Sequence, residues 1–70
     1  MERKNVNSST IRSVGYEPSG QTLEIEFTSG SICQYSRVSP EIHRKLMAAP
    51  TIGSFFKDHI EEEFTAKRIR

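Results

Sequence analysis

The sequence predicts a two-layer α+β domain, a three-stranded antiparallel β-meander followed by two α-helices packed on one face (β-β-β-α-α). Three observations predict it: strict alternation in "LEIEF" at residues 23–27, a Ser39-Pro40-Glu41 helix opening, and an apolar stripe at helical spacing from Ile52 to Phe64. The chain has 70 residues, enough for one domain. So short a chain buries only about 60% of the surface it exposes unfolded, so one core can form but a deep pocket cannot. A large ligand cavity, of roughly 300 Å³ or more, is not expected.

Residues 1–8, "MERKNVNS", lack periodicity and are expected to be a flexible lead-in. "IRSVGYE", residues 11–17, alternates loosely, is rich in β-formers and stops at Pro18 and Gly20, which supply turn chemistry. It is the first expected strand. In the second, Leu23, Ile25 and Phe27 share one face and Glu24 and Glu26 the other, so one side is wet. Ser29-Gly30 then reverses the chain into "SICQYS", residues 31–36.

Two pairings are open to this hairpin. A two-residue loop sets Phe27, Ile25 and Leu23 opposite Ile32, Gln34 and Ser36, whereas a type I turn with Gly30 left-handed in a bulge sets them opposite Ser31, Cys33 and Tyr35. The bulged form matches apolar with apolar more often and is the expected one. It puts Cys33 and Tyr35 on the core side and Ile32 on the far face near the first strand; a one-residue slip would exchange every face.

Ser39 is placed to cap a helix, Pro40 suits its first position and Glu41 favours the positive end of its dipole. Ile42, Leu46, Met47 and Ala49 form its stripe, with His43, Arg44 and Lys45 off it, and Pro50 ends it. Thr51 is placed to cap a second helix. Its buried face is Ile52, Phe55, Phe56, His59, Ile60 and Phe64, with Lys57, Asp58 and Glu61 to Glu63 in water. Gly53 weakens its first turn by about 1 kcal/mol relative to Ala, which points to close packing there. The domain is thus expected over residues 9–66, with residues 67–70 as a basic tail.

Ten Lys and Arg against nine Asp and Glu leave a net charge of +1, so overall charge gives no argument for a polyanionic partner. Basic residues collect near the two ends and on residues 37–45, and a mixed-sign solvated surface is expected unless the ends meet in space. The single Cys33 excludes an intramolecular disulfide and a multi-cysteine metal site and fits a reducing compartment, with the cytoplasm as the default location. No apolar run approaches a membrane span, and no secretory segment is indicated.

Catalysis needs a nucleophile, a base and an orienting group within reach of one another. The candidates are Cys33, His43, His59, scattered carboxylates and Ser8-Ser9-Thr10. A core-facing Cys33 is an inert small hydrophobe, His43 is expected to face solvent, and His59 is a partly buried structural histidine on the apolar stripe. The histidines lie on different helices with no short ligand spacing, and Glu61 to Glu63 point in three directions. Neither a phosphate-cradling glycine loop nor a nucleophile elbow is present. An enzyme, a metal and a cofactor are not expected.

Beside this reading stands a resemblance. Ser8-Ser9 before Ile11, Gly15-Tyr16, the alternating strand with Gly30, Val38 with Pro40, and "LMAAPTIGSFF" followed by Ile60 resemble the KTSC domain over residues 6–64. That short module occurs at the C-terminus of some lysyl-tRNA synthetases and as stand-alone bacterial proteins. The family's central Tyr-x-Tyr falls on Cys33 and Tyr35, so its first tyrosine is replaced here. Through its attachment to synthetases, the resemblance implies RNA binding by association alone.

The expected function is a small, non-enzymatic, monomeric module that binds RNA, tRNA in particular. Arg37, Arg44, Lys45, Lys67, Arg68 and Arg70 are its candidate phosphate contacts and Tyr16 its candidate stacking residue. The alternative is a protein–protein interaction or self-association module that pairs through a strand edge.

Overall fold

In the computed structural model, which describes residues 3–70, five strands and two helices follow in the order β1 (Arg3–Asn5), β2 (Ile11–Glu17), β3 (Thr22–Phe27), β4 (Ile32–Tyr35), α1 (Pro40–Ala48), α2 (Ile52–His59) and β5 (Ala66–Arg68). The strands form one antiparallel sheet in the order β1-β2-β3-β4-β5. The α+β class holds, with five strands in place of the expected three. The added strands are three-residue edges of exposed residues that bury no apolar side chain, so backbone pairing holds them and leaves no apolar alternation to read. β1 lies inside the expected lead-in, and β5 runs across the expected boundary with the tail.

The β3–β4 hairpin takes the bulged form. Gly30 N–H donates to Phe27 O at 3.0 Å, Phe27 N–H donates to Ser31 O at 2.8 Å, and Gly30 has φ +100°. Ile25 therefore faces Cys33, and Leu23 faces Tyr35. β2 carries a bulge of its own: Ile11 pairs with Phe27 and Ser13 with Glu26, which leaves Arg12 unmatched. That extra residue puts both Ile11 and Val14 into the core, and it is why "IRSVGYE" alternates only loosely.

One side of the sheet supplies Ile11, Val14, Leu23, Ile25 and Tyr35 to a core closed by Val38, Leu46, Phe56 and Ile60. α1 lies over β2, where His43 stacks on Tyr16 with ring centroids 4.6 Å apart. α2 lies over β3 and β4, where Phe56 meets Phe27 and Tyr35 edge to face at 5.6 and 5.4 Å. Cys33 is half-buried and packs against this core, as expected. Ile32 is buried outside the core cluster, consistent with the far face. It lies beside β3 and the β5 end, not beside the first expected strand, since its N–H donates to Arg70 O.

The far face is a polar network rather than a wet one. Ser13 Oγ donates to Glu26 Oε1 at 2.7 Å, Gln34 Nε2 donates to Glu24 Oε1 at 3.0 Å, and Arg3 Nε reaches Glu24 Oε2 at 3.3 Å. The bond from Ser13, aided by Arg3, Arg12 and Arg70, holds the Glu26 carboxyl below the usual range against its desolvation.

Ser39 caps α1 as its sequence requires, accepting the Ile42 N–H, with Pro40 in the first turn. Its buried sector is centred between Ile42/Leu46 and His43/Met47, with Arg44 and Lys45 exposed, so His43 is half-buried rather than solvent-facing. α2 departs further from expectation. Thr51 occupies the cap position without a side-chain bond, and the helix stops at His59, with the Ile60 and Glu61 N–H groups both donating to Phe56 O. His59 is therefore exposed in the last turn, tilted against Phe55, and Phe64 lies in the turn that returns the chain to β5.

Candidate ligand groove and the placement of basic residues

Two stretches far apart in sequence meet at one end of the sheet. Ser8 Oγ accepts the Thr10 and Ile11 N–H groups at 3.3 Å each, which shapes a tight turn before β2. Thr28 N–H donates to Thr10 O at 2.9 Å and fastens that turn to the β3 end. The first turn of α2 packs directly on it. A Cβ at Gly53 would lie 2.9 Å from Thr10 Oγ1 and 3.2 Å from Ser8 Oγ, so only glycine permits this approach.

Between these stretches runs a groove of about 740 Å³, open to solvent. The expectation that so small a chain has no large ligand cavity is corrected: an open groove needs no enclosing layer, only two surface segments held apart. One end carries the Ser8, Ser9, Thr10, Thr51 and Ser54 hydroxyls, with Lys57 one turn along the helix. Because Thr51 supplies no side-chain cap, the first N–H groups of α2 are left to other acceptors there. The wall toward the core is Phe27, Phe56 and Tyr35, and Glu61 lies at the far end.

Tyr35 belongs to both core and groove. It is 4% exposed, yet its hydroxyl has no hydrogen-bond partner among the described residues and is not sealed off from solvent. Burial foremost, and then the neighbouring Cys33 and Glu61, push its pKa up to about 12, so the phenol stays protonated and able to donate.

The basic residues expected to contact phosphate do not gather into one patch. Arg44 and Lys45 sit on α1, where Lys45 Nζ pairs with Glu41 Oε1 at 3.4 Å. Arg37, with φ 63°, lies beside the Glu63–Thr65 turn, close to the β5 edge that carries Lys67 and Arg68, with Arg70 just beyond. β1 and β5 are opposite edges four strand spacings apart, roughly 19 Å, yet Arg3 of one end and Arg70 of the other both act on Glu26 of β3 across the far face. Tyr16, the expected stacking residue, is half-buried, with one ring face on His43 and its hydroxyl donating to Val38 O. Among the described residues, no group of three His, Cys, Asp or Glu is placed to hold a metal. No helix among them is long and apolar enough to cross a membrane.

Sequence reasoning weighed Ser8, Ser9 and Thr10 as nucleophiles and Ser8-Ser9 as a feature of the family resemblance, and Lys57 is exposed as expected. The signal for the groove was Gly53, whose close packing is against those very hydroxyls.

The KTSC domain profile matches residues 7–64. The chain belongs to the KTSC domain family. A solved KTSC domain protein from Yersinia pestis superposes with a TM-score of 0.95 at 36% identity, over 99% of this chain and 97% of that one. An uncharacterised protein of Stutzerimonas stutzeri is 43% identical across 80% of this chain and 79% of its own. A lysine–tRNA ligase of Nostoc punctiforme is 38% identical over 87% of this chain but only 11% of the ligase. Both segments that build the groove in this KTSC domain fall within the matched residues.

Proposed function

We propose that this KTSC domain is a small, non-enzymatic, monomeric module that binds RNA, with the groove as its selective contact. The observation that carries this is the lysine–tRNA ligases that contain a similar segment as 11% of their length, which sets the module beside tRNA chemistry. The groove supplies fitting chemistry: hydroxyl and backbone donors and one ammonium at one end, aromatic rings along the wall. Arg37, Arg44, Lys45, Lys67, Arg68 and Arg70 add a diffuse attraction spread over two sides of the domain.

The test is a titration of backbone amide shifts with tRNA, duplex DNA and heparin at two ionic strengths. A footprint on residues 8–10 and 52–57 that tRNA produces at both salt levels, and heparin does not, supports the reading. Absence of any tRNA-induced shift at low salt, or equal footprints for all three polyanions, refutes it.

The second reading is protein interaction or self-association. The observation in its favour is that, among the described residues, β1 and β5 each leave one strand edge unpaired at the ends of the sheet. Sedimentation showing a monomer at all concentrations would exclude self-association, and a β1 edge still open to amide exchange when partner is present would exclude strand pairing there.

A further inference from the structure

We infer that the helix-free face of the sheet is a seat for the phosphate backbone of that RNA, formed by Arg3, Arg12 and Arg70 ranged about Glu26. The inference rests on the RNA reading above and goes beyond the groove. Both helices pack on the other side of the sheet, so this face is open.

Three strands bring the arginines together. β2 bulges where Arg12 and Ser13 lie opposite Glu26, and Glu26 in turn faces Ile32 of β4. β5 ends in a bulge opposite that same Ile32: the Ile69 and Arg70 N–H groups both donate to Ile32 O, at 2.8 and 3.3 Å, and Ile32 N–H donates to Arg70 O at 3.0 Å. One cross-strand row thus carries a bulge at each end, and each bulge adds an arginine to it. The third arrives from the neighbouring row, where Arg3 of β1, Gly15 of β2 and Glu24 of β3 stand in register. Gly15 has no side chain, so the Arg3 stem crosses β2 there and its guanidinium meets Glu24 at 3.3 Å and Glu26 at 3.9 Å.

On this face the acids lie below and the bases above. The Glu24 and Glu26 side chains are only 13% and 18% exposed, and Gln34, Ser13 and Arg3 occupy their oxygens. Glu17, at the turn end, is held by Ser19. Arg12 and Arg70 are exposed, and among the described residues neither forms a salt bridge. Lys67, opposite Gln34, is a further exposed cation. Ser13 foremost, and then Arg3, Arg12 and Arg70, hold the Glu26 carboxyl low against its desolvation, so it stays an anion that tethers the guanidinium groups over the row.

The layer that meets solvent is therefore positive, although the whole chain carries a net charge of +1. Forked guanidinium donors match phosphate oxygens. β2 and β5 are three strand spacings apart, roughly 14 Å, so Arg12 and Arg70 reach different phosphates of one strand. An acidic protein fits less well, because an interface core needs apolar anchors and Ile69 is the one large apolar side chain exposed among the described residues.

The test follows the arginine Nε–H and backbone amide signals of the full chain during titration with oligouridylate RNA and, separately, with polyglutamate. RNA should move the Arg12 and Arg70 side-chain signals together with the Ser13, Glu26 and Ile32 amides. Arg12→Gln and Arg70→Gln should each weaken RNA about two- to fivefold and make the log–log salt slope shallower by about 0.7. Only the backbone groups of these two residues pair with neighbouring strands, so the urea midpoint should hold in both variants. Arg12→Lys keeps the charge and should keep the slope.

RNA-induced shifts confined to residues 8–10 and 52–57, with the slope unchanged in the double variant, would overturn this seat and leave the RNA reading standing. Shifts confined to the helix-free face and lost in the double variant would uphold the seat and remove the groove as the selective contact. No RNA-induced shift anywhere overturns both. Polyglutamate that matches RNA in affinity and footprint would give the face to an acidic protein and overturn the seat.

Discussion

Gly53→Ala tests whether the two halves of the groove are held together by a close approach or merely lie near each other. The added methyl would sit 2.9 Å from Thr10 Oγ1 and 3.2 Å from Ser8 Oγ. Neither hydroxyl retreats freely. Thr10 Oγ1 is on the branched carbon of a residue whose main chain is bonded to both Ser8 and Thr28, and Ser8 Oγ accepts two N–H groups at 3.3 Å. Helix propensity alone would reward Ala by up to about 1 kcal/mol, and overpacking costs about 1–3 kcal/mol. The sum is a loss of about 1 kcal/mol, or roughly 4–8 °C in Tm for a domain of this size. The assay is a double-mutant cycle by urea denaturation with Thr10→Ala, which removes the nearer oxygen. In that background the alanine at 53 should cost nothing or stabilise, a coupling of about 1–2 kcal/mol. Additivity within about 0.3–0.5 kcal/mol would refute the reasoning, because it would mean that the glycine is there for some cause other than Thr10.

Gly30→Ala isolates backbone strain, since φ is +100° and nothing lies within 4 Å of the added carbon. It should cost about 1–2 kcal/mol by chemical denaturation, and an unchanged midpoint would show that the bulged turn is not what fixes the register. His43 makes stability fall with acid. Desolvation against Tyr16, and then the Lys4 charge, lower its folded pKa below the 6.5 of the free side chain, so its contribution is whole above 6.5 and declines as pH falls through 6.5 toward the folded value. Urea midpoints measured between pH 7.5 and 5.5 should drop more for the parent than for His43→Phe, which keeps a ring on Tyr16; equal drops would remove His43 as the cause. Binding of single-stranded RNA should show a shallow salt dependence, about −0.7 in the log–log slope per phosphate neutralised, and a slope of about −4 or steeper would assign the energy to the dispersed arginines and lysines instead.

The elements legible in the sequence are those stabilised by burial. "LEIEF" alternates because one face meets the helices, Ser39-Pro40-Glu41 opens α1 because its chemistry is local, and Gly30 sets the register because its left-handed φ admits few alternatives. β1 and β5 left no such trace. "RKN" and "AKR" bury no apolar side chain and are held by pairing with strands that must already be in place. A trace of β1 did exist in Arg3, a cation that answers Glu24 and Glu26, but its meaning depends on a sheet face that periodicity alone does not build. The histidines exchanged roles for similar reasons. Helical spacing gives the direction of a side chain, while burial depends on what stands opposite: His43 meets Tyr16 of β2, and His59 falls where α2 ends.

The placement of Tyr35 links the groove to the fold that supports it. A residue that fills the core against Leu23 and Phe56 and also lines a groove cannot be mobile, so that wall of the groove is as rigid as the core itself. Rigidity matters for the proposed RNA binding, because a domain with a net charge of +1 exerts little long-range attraction and contact geometry would have to supply the affinity. Cys33 fits the same logic. On the resemblance it takes the place of the first tyrosine of a Tyr-x-Tyr, and it lies on the same face as Tyr35 and opposite Arg68 of β5, packed against the core but outside the groove wall. Exchanging a ring for a small hydrophobe there alters packing under the β5 edge and leaves the groove's own aromatic wall of Phe27, Phe56 and Tyr35 complete. Of the two positions, only Tyr35 lines the groove.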